Sequence, residues 1–146
     1  VRPGPAVTRV QGADRGRDGC RVPIPWEKDS PSYGVGPSVP SWLPQPAVFG
    51  DLAVDQQTGH PDSTLELYRR MLAVRTQRGL ASGSLTEVDL GPDLVAYDIG
   101  SAGGSTRVVV NLGKQDWPIP AKLQVLLWSD PGAVDKLGTD RAVWLA

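Results

Sequence analysis

Residues 84–112, SLTEVDLGPDLVAYDIGSAGGSTRVVVNL, carry the clearest structural signal in the chain. The segments Ser84–Leu90, Leu94–Ile99 and Thr106–Leu112 are rich in Val, Leu, Ile and Thr, and their alternation of side chains is typical of strands. The first two segments are joined through Gly91-Pro92-Asp93, residue types that favour a turn. This stretch therefore predicts antiparallel β-hairpins.

A helix is predicted just before these strands. Ser63, followed by Glu66, fits a capping box, in which the two side chains satisfy backbone N–H groups at the start of a helix. From Thr64 to about Gln77 the apolar residues recur at helical spacing, and Gly79 offers a C-terminal stop. We therefore predict one amphipathic helix over residues 64–77.

Two further short apolar runs, Leu123–Trp128 and Ala142–Leu145, follow the hairpins. Polar or Gly/Pro-containing segments at 115–120 and 129–140 separate them and are predicted to be turns. The predicted fold class is accordingly α+β: one helix preceding a small antiparallel β-sandwich or barrel of about five strands.

Residues 1–60 differ from the rest of the chain. The sequence contains 17 Gly and 14 Pro, many of them before His60, and no helical or strand period persists there, which predicts a long loop. Large apolar residues nevertheless recur through it: Trp26, Tyr33, Trp42, Leu43, Val48 and Phe49. Because such side chains are a liability on a free coil, we expect another part of the fold to cover them.

Composition excludes several classes of partner. The 15 Lys and Arg balance 16 Asp and Glu without runs of like charge, which argues against nucleic acid and anionic membrane surfaces. No apolar run approaches the roughly 20 residues of a membrane span, and the N-terminus lacks a signal-peptide core, so we expect a soluble, cytoplasmic protein. One Cys and one His predict no disulfide, no zinc site and no cofactor.

The two singular residues have weak functional signals. His60 lies in a Gly-His-Pro loop without a neighbouring nucleophile, which favours a loop or capping residue over a general base. Cys20 lies between Arg17 and Arg21, whose guanidinium groups could lower its thiol pKa. No signature of a cysteine nucleophile surrounds it, so an incidental cysteine is the favoured interpretation.

The loop residues 16–44 contain arginines, short acids and aromatic rings on a Pro-stiffened backbone. These are the components of a sugar site, because guanidinium and carboxylate groups hydrogen-bond hydroxyls and aromatic faces stack on the apolar side of a sugar ring. Composition alone favours a simpler interpretation, in which Arg17–Asp18 and Arg21–Glu27 pair within the loop and Trp26 and Trp42 attach it to a core.

Three blocks nevertheless resemble a known family: RDGCRVPIPW at 17–26, SWLP at 41–44 and PDSTLELYRR at 61–70. In order and spacing they are similar to the C-terminal end of α-glucosidases of the oligo-1,6-glucosidase type, in the α-amylase superfamily (glycoside hydrolase family thirteen). The resemblance covers nearly the whole chain from Gly16 onward. VPIPW stands where TPMQW is commoner in the family.

The resemblance implies a fold. Residues 17–56 would be the long connection after the eighth strand of a (β/α)₈ barrel, residues 64–77 the last barrel helix, and the strands beyond Gly79 the C-terminal antiparallel β-domain. The predicted divisions of the chain are therefore 1–60, 61–79 and 80–146. The barrel itself would lie outside this sequence and would be its principal partner.

The resemblance also implies retaining hydrolysis of terminal α-glucosidic bonds in oligosaccharides, by an Asp nucleophile and a Glu acid/base about 5 Å apart. No catalytic residue is predicted in this chain. By resemblance Arg17 would contact the non-reducing end of the substrate, with Arg21 a second substrate-binding candidate and Trp26 and Trp42 possible sugar-stacking residues. Acidic residues here that match no catalytic motif of the family are Asp18, Glu27, Asp29, Asp51 and Asp55.

Two function classes stay open at this point. The first is the C-terminal portion of an α-glucosidase, inactive by itself. The second is a non-catalytic module that binds carbohydrate through Trp26, Trp42 and Trp117 or docks onto another polypeptide.

Overall fold

The computed structural model describes residues 18–36, 41–130, 132 and 135–146. The chain divides into two units between Leu65 and Glu66. The described residues up to Leu65 are referred to below as the arm, and those from Glu66 to Ala146 as the sheet unit. The predicted substrate contact Arg17 lies outside the described residues.

The arm is irregular but contains more helix than predicted. It has short 3₁₀ turns at Asp18–Arg21 and Pro31–Gly34 and two helices, α1 (Val48–Asp51) and α2 (Val54–Gln57). The prediction of a loop without helices was wrong for α1 and α2. Each has only four residues, which is too short to produce a recognisable helical period.

The longest helix, α3, spans Thr64–Gln77, the predicted range. Its first turn is capped partly by Gln57, whose side-chain oxygen accepts the N–H of Leu65 at 3.1 Å, while the Ser63 hydroxyl donates to the Gln57 carbonyl at 2.8 Å. Gly79 adopts a left-handed conformation with φ 64°, which ends the helix as predicted.

The sheet unit has seven strands, all paired antiparallel. They are β1 (Ser84–Glu87), β2 (Leu94–Ser101), β3 (Gly104–Asn111), β4 (Trp117–Pro118), β5 (Val125–Trp128), β6 (Lys136–Leu137) and β7 (Arg141–Leu145). Five of them form a sheet in the order β1-β2-β3-β7-β5, and β4 pairs with β6. The predicted α+β class with an antiparallel sheet is confirmed.

Two details of the strand prediction were wrong. β1 ends at Glu87 and not at Leu90, because the chain leaves the ladder before the Gly91 turn. β4 and β6 lie inside segments predicted to be turns. Two-residue strands with flanking Pro, Gly and Asp carry no alternation that a sequence pattern could detect.

The core of the sheet unit lies on one face of the central strands. Val109 of β3 is paired with Val143 of β7, and both are fully buried together with Leu137 and Leu145, while Ala96 is 2% exposed. Alternate residues of β7 enter this core, as the two-residue repeat of a strand requires. Half-buried apolar residues surround it: Val88, Leu90, Leu94, Trp117, Ile119, Leu123, Val125 and Trp128.

The end of α3 is fixed to the β2–β3 hairpin. The Arg78 guanidinium donates from Nε to Thr106 Oγ1 at 2.6 Å and from Nη2 to the Ser105 carbonyl at 2.9 Å. The Ser101 hydroxyl donates to the Arg78 carbonyl at 2.5 Å. Gly103 lies so close that a Cβ there would be 2.8 Å from Arg78 Cα, so only glycine permits this approach.

Candidate functional site

Of the predicted site residues, three lie in the described part of the arm, and all three are exposed. Arg21 ends the first 3₁₀ turn with its side chain toward solvent. Trp26 is 53% exposed and Trp42 is 83% exposed. Indole rings of this size usually bury most of their surface, so these two are available to a ligand or to another polypeptide.

The backbone of Trp26 is held on both sides. The N–H groups of Trp26 and Glu27 both donate to the Tyr33 carbonyl, at 2.8 and 3.2 Å. On the other side the Trp26 carbonyl accepts the N–H of Asp55 at 3.0 Å. The indole therefore projects from a fixed backbone while its surface remains exposed.

A left-handed turn produces this arrangement. Ser32, Tyr33 and Gly34 have φ values of 49°, 54° and 77°. For non-glycine residues this conformation costs roughly 1–2 kcal/mol each, and the surrounding hydrogen bonds offset that cost. The Ser32 hydroxyl accepts the N–H of Ser41 at 3.0 Å, which ties the residue next to Trp42 to the same turn.

Lys28 and Glu27 make hydrogen bonds and an ion pair within the arm. Lys28 Nζ lies 2.6 Å from Asp51 Oδ1, and the Lys28 N–H donates to the Asp55 carboxylate at 3.1 and 3.2 Å. The hydrogen bond to Asp51, and its negative charge, raise the pKa of Lys28 above its ordinary value. Glu27 accepts a hydrogen bond from the Ser30 hydroxyl. Lys28, not Arg21, therefore makes the ion pair that closes this part of the loop.

The exposed apolar surface of the arm extends beyond the tryptophans. Ile24 is 64% exposed, and the further large apolar residues that are exposed in the arm are Val35, Val48 and Leu52. Val48 and Leu52 are four residues apart on α1 and its end, so they share one side of that turn. Sequence reasoning singled out Val48 but not Leu52 or Val35, because isolated aliphatic residues in a loop carry no periodic signal.

The other residues considered from the sequence behave differently. Trp117 is half-buried and packs against the core of the sheet unit. His60 is exposed in a turn, where its carbonyl accepts the Ser63 N–H at 2.9 Å.

Within the described residues no group of His, Cys, Asp and Glu side chains could hold a metal ion. Nor does any helix in that part of the chain have the length and apolarity to cross a membrane.

Comparison with solved structures identifies the fold. The chain superimposes on part of a mutant of the trehalulose synthase MutB in complex with sucrose, with a TM-score of 0.72 and 23% identity. The match covers 88% of this chain and 25% of that one. At this identity the similarity establishes a shared fold, here with about a quarter of a longer chain. No protein-family model matches the chain.

Curated relatives with similar sequences identify the class of protein more closely than the fold does. A probable α-glucosidase of Rhizobium meliloti is 39% identical over 84 residues, which are 57% of this chain and 15% of the relative. The salivary α-glucosidase of Anopheles gambiae is 30% identical over 109 residues, 74% of this chain and 18% of the relative. The chain thus spans less than a fifth of the length of these relatives. The predicted resemblance to α-glucosidases of the α-amylase superfamily is confirmed, for a region and not for a whole enzyme.

Proposed function

We propose that this chain is the C-terminal part of an α-glucosidase that hydrolyses terminal α-glucosidic bonds of oligosaccharides by a retaining mechanism. In this proposal residues 17–56 are the connection after the eighth barrel strand and α3 is the last barrel helix. Residues 80–146 are the C-terminal β-domain. The catalytic barrel, supplied by another stretch of polypeptide, is the partner of both the arm and α3.

The observation that carries the proposal is the exposed apolar surface of these two elements. All 14 residues of α3 belong to the described part of the chain, and none of them is buried, although the helix has an apolar face that includes Tyr68 and Leu72. A packed barrel would cover such a face, since helices gain most of their stability from burying an amphipathic side. The short span relative to the curated α-glucosidases is consistent with this arrangement.

The residue types decide which catalytic and substrate-binding groups we assign to the barrel and which to this chain. Retaining hydrolysis requires two carboxyl groups about 5 Å apart, one as nucleophile and one as acid/base. We assign both to the barrel and expect this chain to be inactive by itself. Arg17 and Arg21 would bind substrate hydroxyls or pair with a pocket carboxylate through their planar guanidinium forks, a geometry that lysine lacks. Trp26 and Trp42 would stack on sugar rings.

A second candidate function is a non-catalytic carbohydrate-binding or protein-interaction module. The observation that favours it is the exposure of Trp26 and Trp42 on a backbone that is already fixed. An exposed aromatic ring on an ordered backbone can stack on a sugar, because the backbone loses little further entropy on binding.

The deciding experiment measures hydrolysis of a chromogenic α-glucoside. The purified chain is expected to show no turnover. The Rhizobium meliloti α-glucosidase, produced without its matching region, should regain activity when this chain is added. Arg17→Lys should weaken that recovery, whereas the matched control Arg69→Lys, whose partner is Glu66 within the same helix, should not.

Two outcomes contradict the proposal. Turnover by the chain alone would mean that it contains its own catalytic carboxyl pair. Sugar binding by the chain, with no recovery of activity in the shortened enzyme, would favour the module instead.

A further inference from the structure

The sheet unit contains a groove that the proposed function does not use. It has a volume of about 220 Å³ and lies between the turn that joins β1 to β2 and the loop that follows β3. Apolar and polar residues both line it: Leu90, Pro92, Asp93, Gln115, Asp116 and Trp117. Pockets for drug-sized ligands run from about 300 to 1,000 Å³, so this one suits a single small ring.

The walls of the groove are rigid because one buried side chain holds them. Asn111 is 1% exposed, and its Nδ2 donates to the carbonyls of Gln115 at 2.8 Å and Leu137 at 2.9 Å. Its Oδ1 accepts the N–H of Gly113 at 2.9 Å. A buried amide with these three partners fixes the loop after β3 to β6 and defines the position of Gln115.

The two walls also meet directly. The Leu112 N–H donates to the Asp93 carbonyl at 2.9 Å. A Cβ at Gly113 would lie 2.7 Å from Asp93 Cβ, so glycine is required for the loop to approach the turn this closely. On the first wall, the Gly91 N–H donates to the Asp89 carboxylate at 3.0 Å and closes the turn. The groove is therefore formed before any ligand binds, which lowers the entropic cost of binding.

The chemistry of the lining matches a sugar ring. Trp117 is half-buried against the core and is also one of the residues that line the groove, where an apolar ring face can lie against it. Asp93 and Gln115 are exposed and offer a carboxylate and an amide to neighbouring hydroxyls. Asp116 is held 2.6 Å from Lys136 Nζ by one oxygen, and its second oxygen adds another acceptor.

We infer that this groove is a binding site for one hexopyranose ring, such as the glucosyl unit of an α-glucoside. The carboxylates accept hydrogen bonds from vicinal hydroxyls, the Gln115 amide both donates and accepts, and the indole of Trp117 covers the apolar ring face. This inference goes beyond the proposed function, because it concerns residues of the sheet unit alone and requires no turnover. With one ring and few contacts, the dissociation constant should be on the order of 1 mM.

The test uses the full chain and methyl α-glucoside as the probe, with saturation-transfer NMR as the measurement. The wild-type chain is expected to give a saturable signal on the ring protons of the probe. Asp93→Ala and Gln115→Ala should each weaken binding by about tenfold, since each removes a hydrogen-bonding group of the sort worth roughly a decade in affinity. Both residues are exposed, so neither substitution should affect folding.

Matched controls distinguish binding in this groove from binding elsewhere on the chain. Glu87→Gln, an exposed acid on β1 that does not line the groove, should leave the signal unchanged. The double variant Trp26→Ala/Trp42→Ala, called the arm variant, removes the two rings proposed above to stack on sugars, so the signal that this variant retains reports binding in the groove. Trp117→Ala is informative only if far-UV circular dichroism shows a native sheet, which is why the two exposed variants carry the test.

Three results would overturn the inference. The first is the absence of a saturable signal for the wild-type chain. The second is a signal that neither Asp93→Ala nor Gln115→Ala weakens. The third is a signal lost in the arm variant but retained in both groove variants, which would place the bound sugar on Trp26 and Trp42.

Discussion

The arm and the sheet unit differ in how far their apolar side chains are buried. In the sheet unit Val109, Leu137, Val143 and Leu145 are completely buried among residues of the same unit. In the described part of the arm, Pro25, Leu43 and Ala53 are buried, whereas the indole rings of Trp26 and Trp42 are exposed. The sheet unit thus contains its own core, and the arm does not.

The difference shows how a backbone can be ordered without a core. The arm is held by hydrogen bonds such as those of Trp26 and Glu27 to the Tyr33 carbonyl, and by the attachment of Lys28 to Asp51 and Asp55. Each hydrogen bond adds only about 0.5–1.5 kcal/mol, and exposed ion pairs add less. Such a segment keeps a defined shape but leaves its apolar surface for another polypeptide or a ligand to cover.

The largest expected effect is the loss of a core side chain. Leu137→Ala removes a fully buried side chain from β6 and should lower the free energy of unfolding of the sheet unit by about 2–5 kcal/mol, through lost transfer energy and the cavity left behind. Trp42→Ala removes a larger side chain from the arm but should change stability by less than about 0.5 kcal/mol, because the ring is already in water. Urea denaturation followed by far-UV circular dichroism measures both.

The contrast between the two units is contradicted if Trp42→Ala lowers the free energy of unfolding as much as Leu137→Ala does. That result would mean that the ring of Trp42 is covered in solution, for example by association of two chains. The same denaturation series at several protein concentrations detects this, since the unfolding midpoint of an associated form depends on concentration.

A smaller effect is expected from adding a methyl group at a close approach. Gly103→Ala places a Cβ 2.8 Å from the backbone of Arg78, which cannot yield, and should destabilise the sheet unit by about 1–3 kcal/mol. In the arm, Gly50→Ala meets the ring edge of Tyr33 at 3.2 Å, and a side chain can yield by a few tenths of an ångström. We therefore expect Gly50→Ala to lower the free energy of unfolding by less than Gly103→Ala does.

The control for Gly103→Ala lies in the same unit. At Gly138 a Cβ would find its nearest neighbour at 3.7 Å, an ordinary contact, so Gly138→Ala should be close to neutral. If Gly103→Ala and Gly138→Ala unfold at the same urea concentration, the β2–β3 hairpin is not held against the end of α3 as described.

Local signals explain which parts of this fold the sequence predicted. The bounds of α3 were predictable because the residue types that signal them, at Ser63, Glu66 and Gly79, lie within a turn of the helix ends. β2, β3, β5 and β7 were predictable because each is a run of apolar or β-branched residues with strand spacing. These strands belong to the sheet unit, whose core imposes a period on the sequence.

Nonlocal features were not predictable in the same way. The placement of β7 between β3 and β5 depends on pairings between distant segments, and a strand pattern does not specify its partner. The groove beside Trp117 depends on Asn111 holding the loop that follows β3, and a single buried asparagine has no sequence signature. In the arm, composition favoured an attachment of Trp26 and Trp42 to a core, whereas both rings are exposed in the described residues. The left-handed turn at Ser32 and Tyr33 was not predictable either, because neither residue type favours it.

The smallest expected effect on stability comes from an ion pair of the sheet unit, Asp98–Arg107, and its pH dependence differs from that of Lys28 in the arm. Asp98 of β2 and Arg107 of β3 face each other across the ladder, and two hydrogen bonds of 2.7 and 2.8 Å join the guanidinium to the carboxylate. These hydrogen bonds, more than the charge itself, hold the pKa of Asp98 below its ordinary value of 3.8. The pair is about 30% exposed on each side, so water screens it and its contribution should stay below about 1 kcal/mol.

The sign of the pH dependence follows from the lowered pKa. The stabilisation by the Asp98–Arg107 pair is present above 3.8 and is lost as the pH falls from there through the lower pKa of the folded state. Asp98→Asn should therefore lower the urea midpoint slightly at pH 7 and have progressively less effect toward pH 2. For Lys28 in the arm the pKa is raised, so the pH dependence lies at alkaline pH. The stabilisation by the Lys28–Asp51 ion pair is present up to the ordinary pKa of 10.5 and is lost as the pH rises above it. If the difference between wild type and Asp98→Asn stays constant from pH 7 to pH 2, the bidentate pair does not stabilise the sheet unit. Acid sensitivity would then have to arise from other carboxylates, such as Asp130, whose pKa is lowered by the Gly132 N–H and by Arg141.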